Sequence, residues 1–228
     1  MQTEPLIKRT VVFVDGQNLY HGAREAFGYS YPNYDIGALA QTLCSVRGWM
    51  LLQTRFYTGV PDACDSERWH KFWSAKLLAM SRQGIHTYSR SLRYRNKVVT
   101  LPDGRDTSIR TGEEKGIDVR IAIDIIRMAH RREYDVALVF SQDQDLSEVA
   151  RELRVIAKEQ ARWIKMSSAY PENLNQDNNA ALTQRTGFQF PEHAMTPVSI
   201  HATIAPAGNH SGCGIGNEPL LGSGCFVN

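Results

Sequence analysis

A chain of 228 residues can bury a substantial core as one α/β domain, or as one domain with an appendage. Its formal net charge of +2 excludes a general polyanion binder, so any nucleic-acid surface has to be a local patch. The four cysteines show neither CxxC pairing nor zinc-ligand spacing, the N-terminus lacks a hydrophobic signal core, and no apolar run is long enough to span a bilayer; a reduced, cytoplasmic protein without a membrane partner is expected.

Thr10–Val14 reads as a first strand ending in Asp15-Gly16-Gln17-Asn18, after which Leu19, Ala23, Ala26 and Phe27 recur at helical spacing. Gly16 permits a sharp turn that leaves Asp15 at the strand's carboxyl end and Asn18 about one turn into the helix. A plain N-cap role for Asp15 stands beside a role in a site. Gly28–Asn33 is a loop, Asp35–Arg47 a helix with Gly48 as its C-cap, and Met50–Thr58 a second strand. Ser66–Arg82 is an amphipathic helix whose stripe of Trp69, Phe72, Trp73, Leu77 and Met80 reads as core rather than as a base-stacking platform. Gly84–Ser89 supplies a third strand, and three βα units in a row predict a doubly wound sheet.

Arg90–Lys115 breaks the pattern and predicts a short hairpin plus a loop, with turns at Arg95-Asn96-Lys97 and Pro102-Asp103-Gly104. From Arg82 to Lys115, eight Lys/Arg stand against four Asp/Glu. Arg93, Arg95 and Lys97 alternate along one extended face with Tyr94 between them, and Arg110 and Lys115 follow. Such a strip suits a phosphate backbone, although a solvated edge hairpin guarded by charge has the same look.

Gly116–Arg131 predicts the most apolar helix, with a core stripe of Ile117, Ile121, Ala122, Ile125, Met128 and Ala129 widened by Ile123 and Ile126. Asp118 lies in its first turn, where the helix dipole favours an ionised carboxylate. Asp124 sits deep in the apolar run and has to be paired, hydrogen-bonded or turned to a polar cleft. The two acids do not share a face, and Asp118 is the better candidate for a direct ligand. Val136–Phe140 is an unbroken apolar strand, covered on both faces as in a parallel sheet, that stops at Asp143 and Asp145. Both acids can hold a divalent cation or cap the next helix, Ser147–Gln160. Arg162–Met166 is a last short strand, a further helix can follow Pro171, and Gly187–Phe190 closes the domain. Residues 191–228 are rich in Pro, Ala, Gly, Ser, His and Asn and read as a flexible tail.

A right-handed doubly wound sheet brings the carboxyl ends of adjacent strands together, so Asp15, Asn18, Asp118, Asp143 and Asp145 can meet in one cleft. Unscreened, the carboxylates would repel one another; Mg²⁺ or Mn²⁺ removes that difficulty, because hard cations take oxygen ligands. Hydrolysis of a phosphodiester is the reaction that best uses such a cation beside a basic loop.

Three segments, Val-Val-Phe-Val-Asp-Gly-Gln-Asn-Leu-Tyr (11–20), Glu-Glu-Lys-Gly-Ile-Asp-Val-Arg-Ile-Ala-Ile-Asp (113–124) and Val-Phe-Ser-Gln-Asp-Gln-Asp-Leu (139–146), resemble the NYN domain family of PIN-like ribonuclease relatives, which includes the LabA-like proteins. The resemblance spans roughly residues 8–190. It implies a three-layer α/β/α sandwich with a central, mainly parallel sheet, and a metal-dependent ribonuclease that leaves a 5′-phosphate and a 3′-hydroxyl. By position, Asp15, Asp118 and Asp143 match the family's metal-binding acids, Asn18 the polar residue of the first motif, and Asp145 the second acid of the last. Gln142 departs from the pattern, standing where the family commonly has Gly in a Ser-Gly-Asp turn. An inactive RNA-binding module on the same fold is the alternative, and self-association through the sheet edge or the tail is a third reading.

Overall fold

The computed structural model describes residues 3–171, apart from 101 and 103, together with the backbone of 198–200. In chain order the elements are β1 (Arg9–Asp15), α1 (Gly16–Phe27), α2 (Ile36–Val46), β2 (Met50–Val60), α3 (Glu67–Arg82), β3 (His86–Ser91), β4 (Arg93–Thr100), β5 (Asp106–Glu113), α4 (Ile117–His130), β6 (Val136–Phe140), α5 (Leu146–Glu159), β7 (Lys165–Pro171) and β8 (Val198–Ile200). The main sheet runs β3-β2-β1-β6-β7-β8 with parallel pairing throughout, while β4 and β5 form a separate antiparallel hairpin.

Both faces of this sheet are covered, which is why its central strands are continuously apolar. Val12 and Val14 of β1, with Leu138 and Phe140 of β6, pack against α1, α2 and α3. Their neighbours Val11, Phe13, Ala137 and Val139 point the other way into α4 and α5. The two-residue period of a strand thus feeds two cores from one run. The result is the expected three-layer α/β sandwich with a parallel central sheet.

Connectivity reverses direction between β1 and β6. From β1 the chain winds outward through β2 and β3, then returns to lay β6 on the opposite flank. Loops leaving two adjacent strands on opposite sides open a crevice at their carboxyl ends, the place where open α/β sheets take ligands. Asp15 ends β1, and Asp143 lies three residues past the end of β6. At the amino end, Asp135 accepts from both the backbone and the guanidinium of Arg9 at 3.0 Å, tying the starts of β1 and β6.

Three expectations need correction. Arg95-Asn96-Lys97 is not a turn but the middle of β4, which stays paired with β5 as far as Thr100 opposite Asp106. The strand expected at 162–166 forms later, as Lys165–Pro171, because Arg162 turns its guanidinium onto the carbonyls of Tyr134 (2.7 Å) and Ala129 (2.9 Å). Ile123 does not widen the core stripe of α4; at 51% exposure it faces solvent, about 100° around the helix from Asp124's buried side. Within the expected tail, Val198–Ile200 adds a short strand to the edge of β7. The helix after Pro171 and the closing segment at 187–190 lie outside the described residues.

Candidate metal centre

Asp15 is 4% exposed and acts as the N-cap of α1. Its Oδ1 accepts from the amides of Gln17 and Asn18 at 3.0 Å, and its Oδ2 accepts from Asn18 Nδ2 at 2.7 Å. Cap and site roles are therefore compatible, because Oδ2, with one donor on it, retains a second lone pair. Burial raises the Asp15 pKa, the hydrogen bonds from Asn18 and Gln17 oppose the rise, and the charge of Asp143 adds to it. The glycine after Asp15 is demanded by close approach: a Cβ on Gly16 would lie 2.6 Å from the Phe56 ring and 3.0 Å from the Tyr57 carbonyl.

Asp143 and Asp145 are held in one turn. Ser141 Oγ accepts from the Asp143 amide at 3.1 Å, and Asp143 Oδ1 accepts from the Asp145 amide at 2.9 Å. Ser141 itself is anchored by Ser168, whose hydroxyl donates to the Ser141 carbonyl at 2.7 Å. Gln142 is exposed and keeps a negative φ, so the turn that commonly has Gly accepts a side chain here. Asp145 begins α5 without capping it through its side chain, which leaves that carboxylate available.

Asp118, in the first turn of α4, completes the group. One oxygen from each of Asp118, Asp143 and Asp145 lies within 4.8 Å of the others. Opposite ligands of a cation with bonds of about 2.1 Å stand about 4.2 Å apart, so small closing movements would let the three share one ion. All three donors are hard oxygens, suited to Mg²⁺ or Mn²⁺ rather than to softer metals. Asp15 is not one of this trio, and Asn18 remains on its carboxylate.

Glu114 escaped the sequence reading. It follows β5, accepts a hydrogen bond from the Gly59 amide at the end of β2, and is partly buried. Burial, together with the charges of Asp15 and Asp118, pushes its pKa up to about 8 against the opposing Gly59 amide. A Cβ on Gly59 would lie 2.7 Å from Glu114 Oε2, so glycine is what lets the two segments meet. The signal was present in the doublet Glu113-Glu114: strand alternation sends Glu113 to the basic face of the hairpin and its neighbour the other way.

Asp124 is buried and satisfied elsewhere. It accepts from Tyr57 Oη at 2.9 Å and is ion-paired to Arg55 (3.1 Å), Arg120 (3.0 Å) and Arg127 (2.9 Å). That pairing separates it from the acidic trio, as the distinct helix faces of Asp118 and Asp124 implied.

The five basic residues of the hairpin region do not form one patch. Arg93, Arg95 and Lys97 share a face of β4, where Glu113 pairs with Arg95 at 3.6 Å and Lys97 at 3.2 Å. Arg110, opposite Asn96, is on the other face; it stacks 4.9 Å from the Tyr94 ring centre and pairs with Asp65 at 2.9 Å. Lys115 leads into α4, and its carbonyl accepts from Arg90 Nη1 at 3.3 Å.

Among the described residues, no helix is long and apolar enough to cross a membrane. The family model described as NYN domain matches residues 9–168. No curated protein matches the chain. Among solved structures, a protein of unknown function from Vibrio parahaemolyticus is similar at 17% identity and a TM-score of 0.47, covering 86% of this chain and 95% of that one.

Proposed function

From the premise that this chain belongs to the NYN domain family, whose PIN-like relatives are nuclease-like, we propose that it is a divalent-metal-dependent ribonuclease. The observation that carries the reading is the convergence of Asp118, Asp143 and Asp145 at the switch point of the sheet. Those three side chains would hold Mg²⁺ or Mn²⁺, with Asp15 beside them, fixed by its cap bonds and by Asn18. A cation bound there supplies Lewis acidity toward a phosphoryl oxygen and a more acidic bound water.

The remaining work falls to the chain. Asn18 holds the Asp15 carboxylate in one orientation, so that the remaining lone pair of its Oδ2 points consistently. The Ser141–Asp143–Asp145 turn keeps two acids at a set spacing. Asp145, the exposed member, would accept a proton from an attacking water or hold a second ion. Arg93, Arg95, Lys97 and Lys115 would meet the RNA backbone on approach, with Arg110 contributing from the other hairpin face.

Labelled single-stranded and structured RNAs incubated with purified protein and Mn²⁺ test the reading. Cleavage is expected to vanish in EDTA and to fall by at least about 100-fold in Asp143→Asn, the upper end for loss of a residue that merely supports a metal ligand. Cleavage that survives both treatments overturns the mechanism. Salt-sensitive RNA binding without turnover under any divalent ion would instead favour the inactive binding module.

A further inference from the structure

β3 forms one edge of the main sheet, and the chain leaves it for the β4–β5 hairpin before entering α4. On the face opposite α3, helix α4 packs over β1 and β2, and β3 beyond it keeps His86 and Arg90 exposed and Tyr88 half-buried. The two-residue strand period puts Arg55 and Tyr57 of β2 and Tyr88 and Arg90 of β3 on that face, beside Arg120 and Arg127 of α4. An arginine-lined shelf results, and it starts at the entrance to α4. There Arg90 Nη1 donates to the Lys115 carbonyl at 3.3 Å, and a Cβ on Gly116, whose φ is 73°, would lie 2.6 Å from that nitrogen. Asp118 of the acidic trio follows two residues later.

Satisfying the buried Asp124 does not account for so many cations. A carboxylate offers about four lone-pair sites, yet five donors converge on this one: Arg55 Nη2, Tyr57 Oη, Nε and Nη2 of Arg120, and Arg127 Nη2. Arg55 is woven into the sheet, its Nε on Tyr57 Oη and its Nη1 on Gln53 Oε1. Arg120 and Arg127 are not. Their side chains are 34% and 43% exposed, and among the described residues Arg120 Nη1 and Arg127 Nε and Nη1 have no acceptor. Both bring Nη2 to the same oxygen of Asp124, which holds the two forks side by side, and Arg120 is steadied 5.0 Å over the Tyr88 ring centre. One carboxylate cancels one of three permanent charges, so two positive charges are left at this spot to repel each other.

We infer that this shelf is a phosphate track for the RNA strand flanking the cleavage site: the strand crosses the start of α4 at Arg90, and Arg120 and Arg127 clamp a phosphate further on. The inference rests on the ribonuclease reading for its choice of polymer. Guanidinium forks with free N–H groups match the paired oxygens of a phosphate, and an anion between them removes their mutual repulsion. A phosphate contact carries no base information, so the track positions the strand without selecting its sequence.

Binding tests it apart from catalysis. Fluorescence anisotropy in EDTA would follow a short labelled single-stranded RNA on the full chain across a salt series. Arg90→Gln, on the exposed edge strand, and Arg127→Gln, which leaves Asp124 its bonds to Arg55, Arg120 and Tyr57, are the variants. Each should weaken binding about tenfold at low salt, the size of one lost charge-assisted hydrogen bond. Arg90→Gln should also lower the slope of log affinity against log salt by about 0.7, one single-strand phosphate contact, and Arg127→Gln, half of a clamp, by less. Lys71→Gln, on α3 across the sheet, should change neither quantity. A structural role alone would shift melting temperature without touching the slope. Wild-type affinity and slope in both arginine variants overturn the inference, as does a wild type that binds no RNA. Displacement of the RNA by an equal concentration of uridine monophosphate would make the shelf a free-nucleotide site and overturn the track. Losses that follow the arginines without cleavage in Mn²⁺ would uphold the track and sink the nuclease, while cleavage with unchanged binding would do the reverse.

Discussion

The amide of Gly59, at the end of β2, donates to the carboxylate of Glu114, at the entrance to α4. This contact fastens the hairpin's base to the sheet and sets a third kind of acid, neither ligand-like in exposure nor paired to a base, beside Asp15 and Asp118. Its consequence is a pH dependence of stability. With its pKa raised from 4.5 to about 8 in the fold, Glu114 holds a proton that the unfolded chain has already released over that interval. Unfolding then releases a proton, so stability falls as pH rises from about 4.5 to about 8. The raised pKa of Asp15 acts in the same direction. In EDTA, the melting temperature should drop by several degrees between pH 5 and 8, and Glu114→Gln should flatten the drop while keeping an acceptor for Gly59. An unchanged slope in that variant would remove Glu114 from the explanation.

Cation binding should reverse that trend. Ligand that binds only the folded state at about 100 times its Kd stabilises by about 2.7 kcal/mol. For a domain of this size, that corresponds to a rise in Tm of about 5–10 °C. Differential scanning fluorimetry with Mn²⁺ against EDTA should show the rise in wild type and its loss in Asp118→Asn or Asp143→Asn. Without metal, the same variants should melt no lower than wild type, because each removes a repelling charge from the trio. Equal Mn²⁺ shifts in all three proteins would place the ion elsewhere.

Asp124 should behave in the opposite way. It is fully buried against three guanidiniums and the Tyr57 hydroxyl. Neutralising one side of a buried ion cluster leaves the rest uncompensated, so Asp124→Asn should destabilise by about 3–5 kcal/mol. Urea unfolding reads this directly. The variant's Mn²⁺-induced Tm shift should match that of wild type; loss of the shift would join Asp124 to the metal centre.

The two hairpin faces predict different salt responses. Arg93 is exposed on the face it shares with Arg95 and Lys97, while Arg110 is engaged by Asp65 on the other. If the first face meets phosphates, Arg93→Ala should lower the slope of log affinity against log salt for single-stranded RNA by about 0.7–1, with little change for Arg110→Ala. Identical slopes for wild type and Arg93→Ala would take the RNA off that face.

Local pattern alone determined a good deal about this protein. The continuous apolar runs of Val11–Val14 and Val136–Phe140 required a sheet covered on both faces, and the acids that end those runs had to lie at its carboxyl edge. The apolar surroundings of Asp124 required partners for it, because a lone buried charge is prohibitively unfavourable. Tertiary structure decided what depends on contacts between distant residues. Glu114 became a site residue only because Gly59, 55 positions earlier, lets the backbone approach it. Arg93 and Arg110 parted company because register across β4 and β5, which no single strand encodes, put them on opposite faces. The stretch around Asp143 shows both halves: its acids were legible as the end of a buried strand, but their spacing is set by Ser141, which is anchored in turn by Ser168 on β7. Hydrophobic periodicity is a property of neighbours along the chain, whereas a carboxylate's partners and pKa belong to whatever the fold brings beside it.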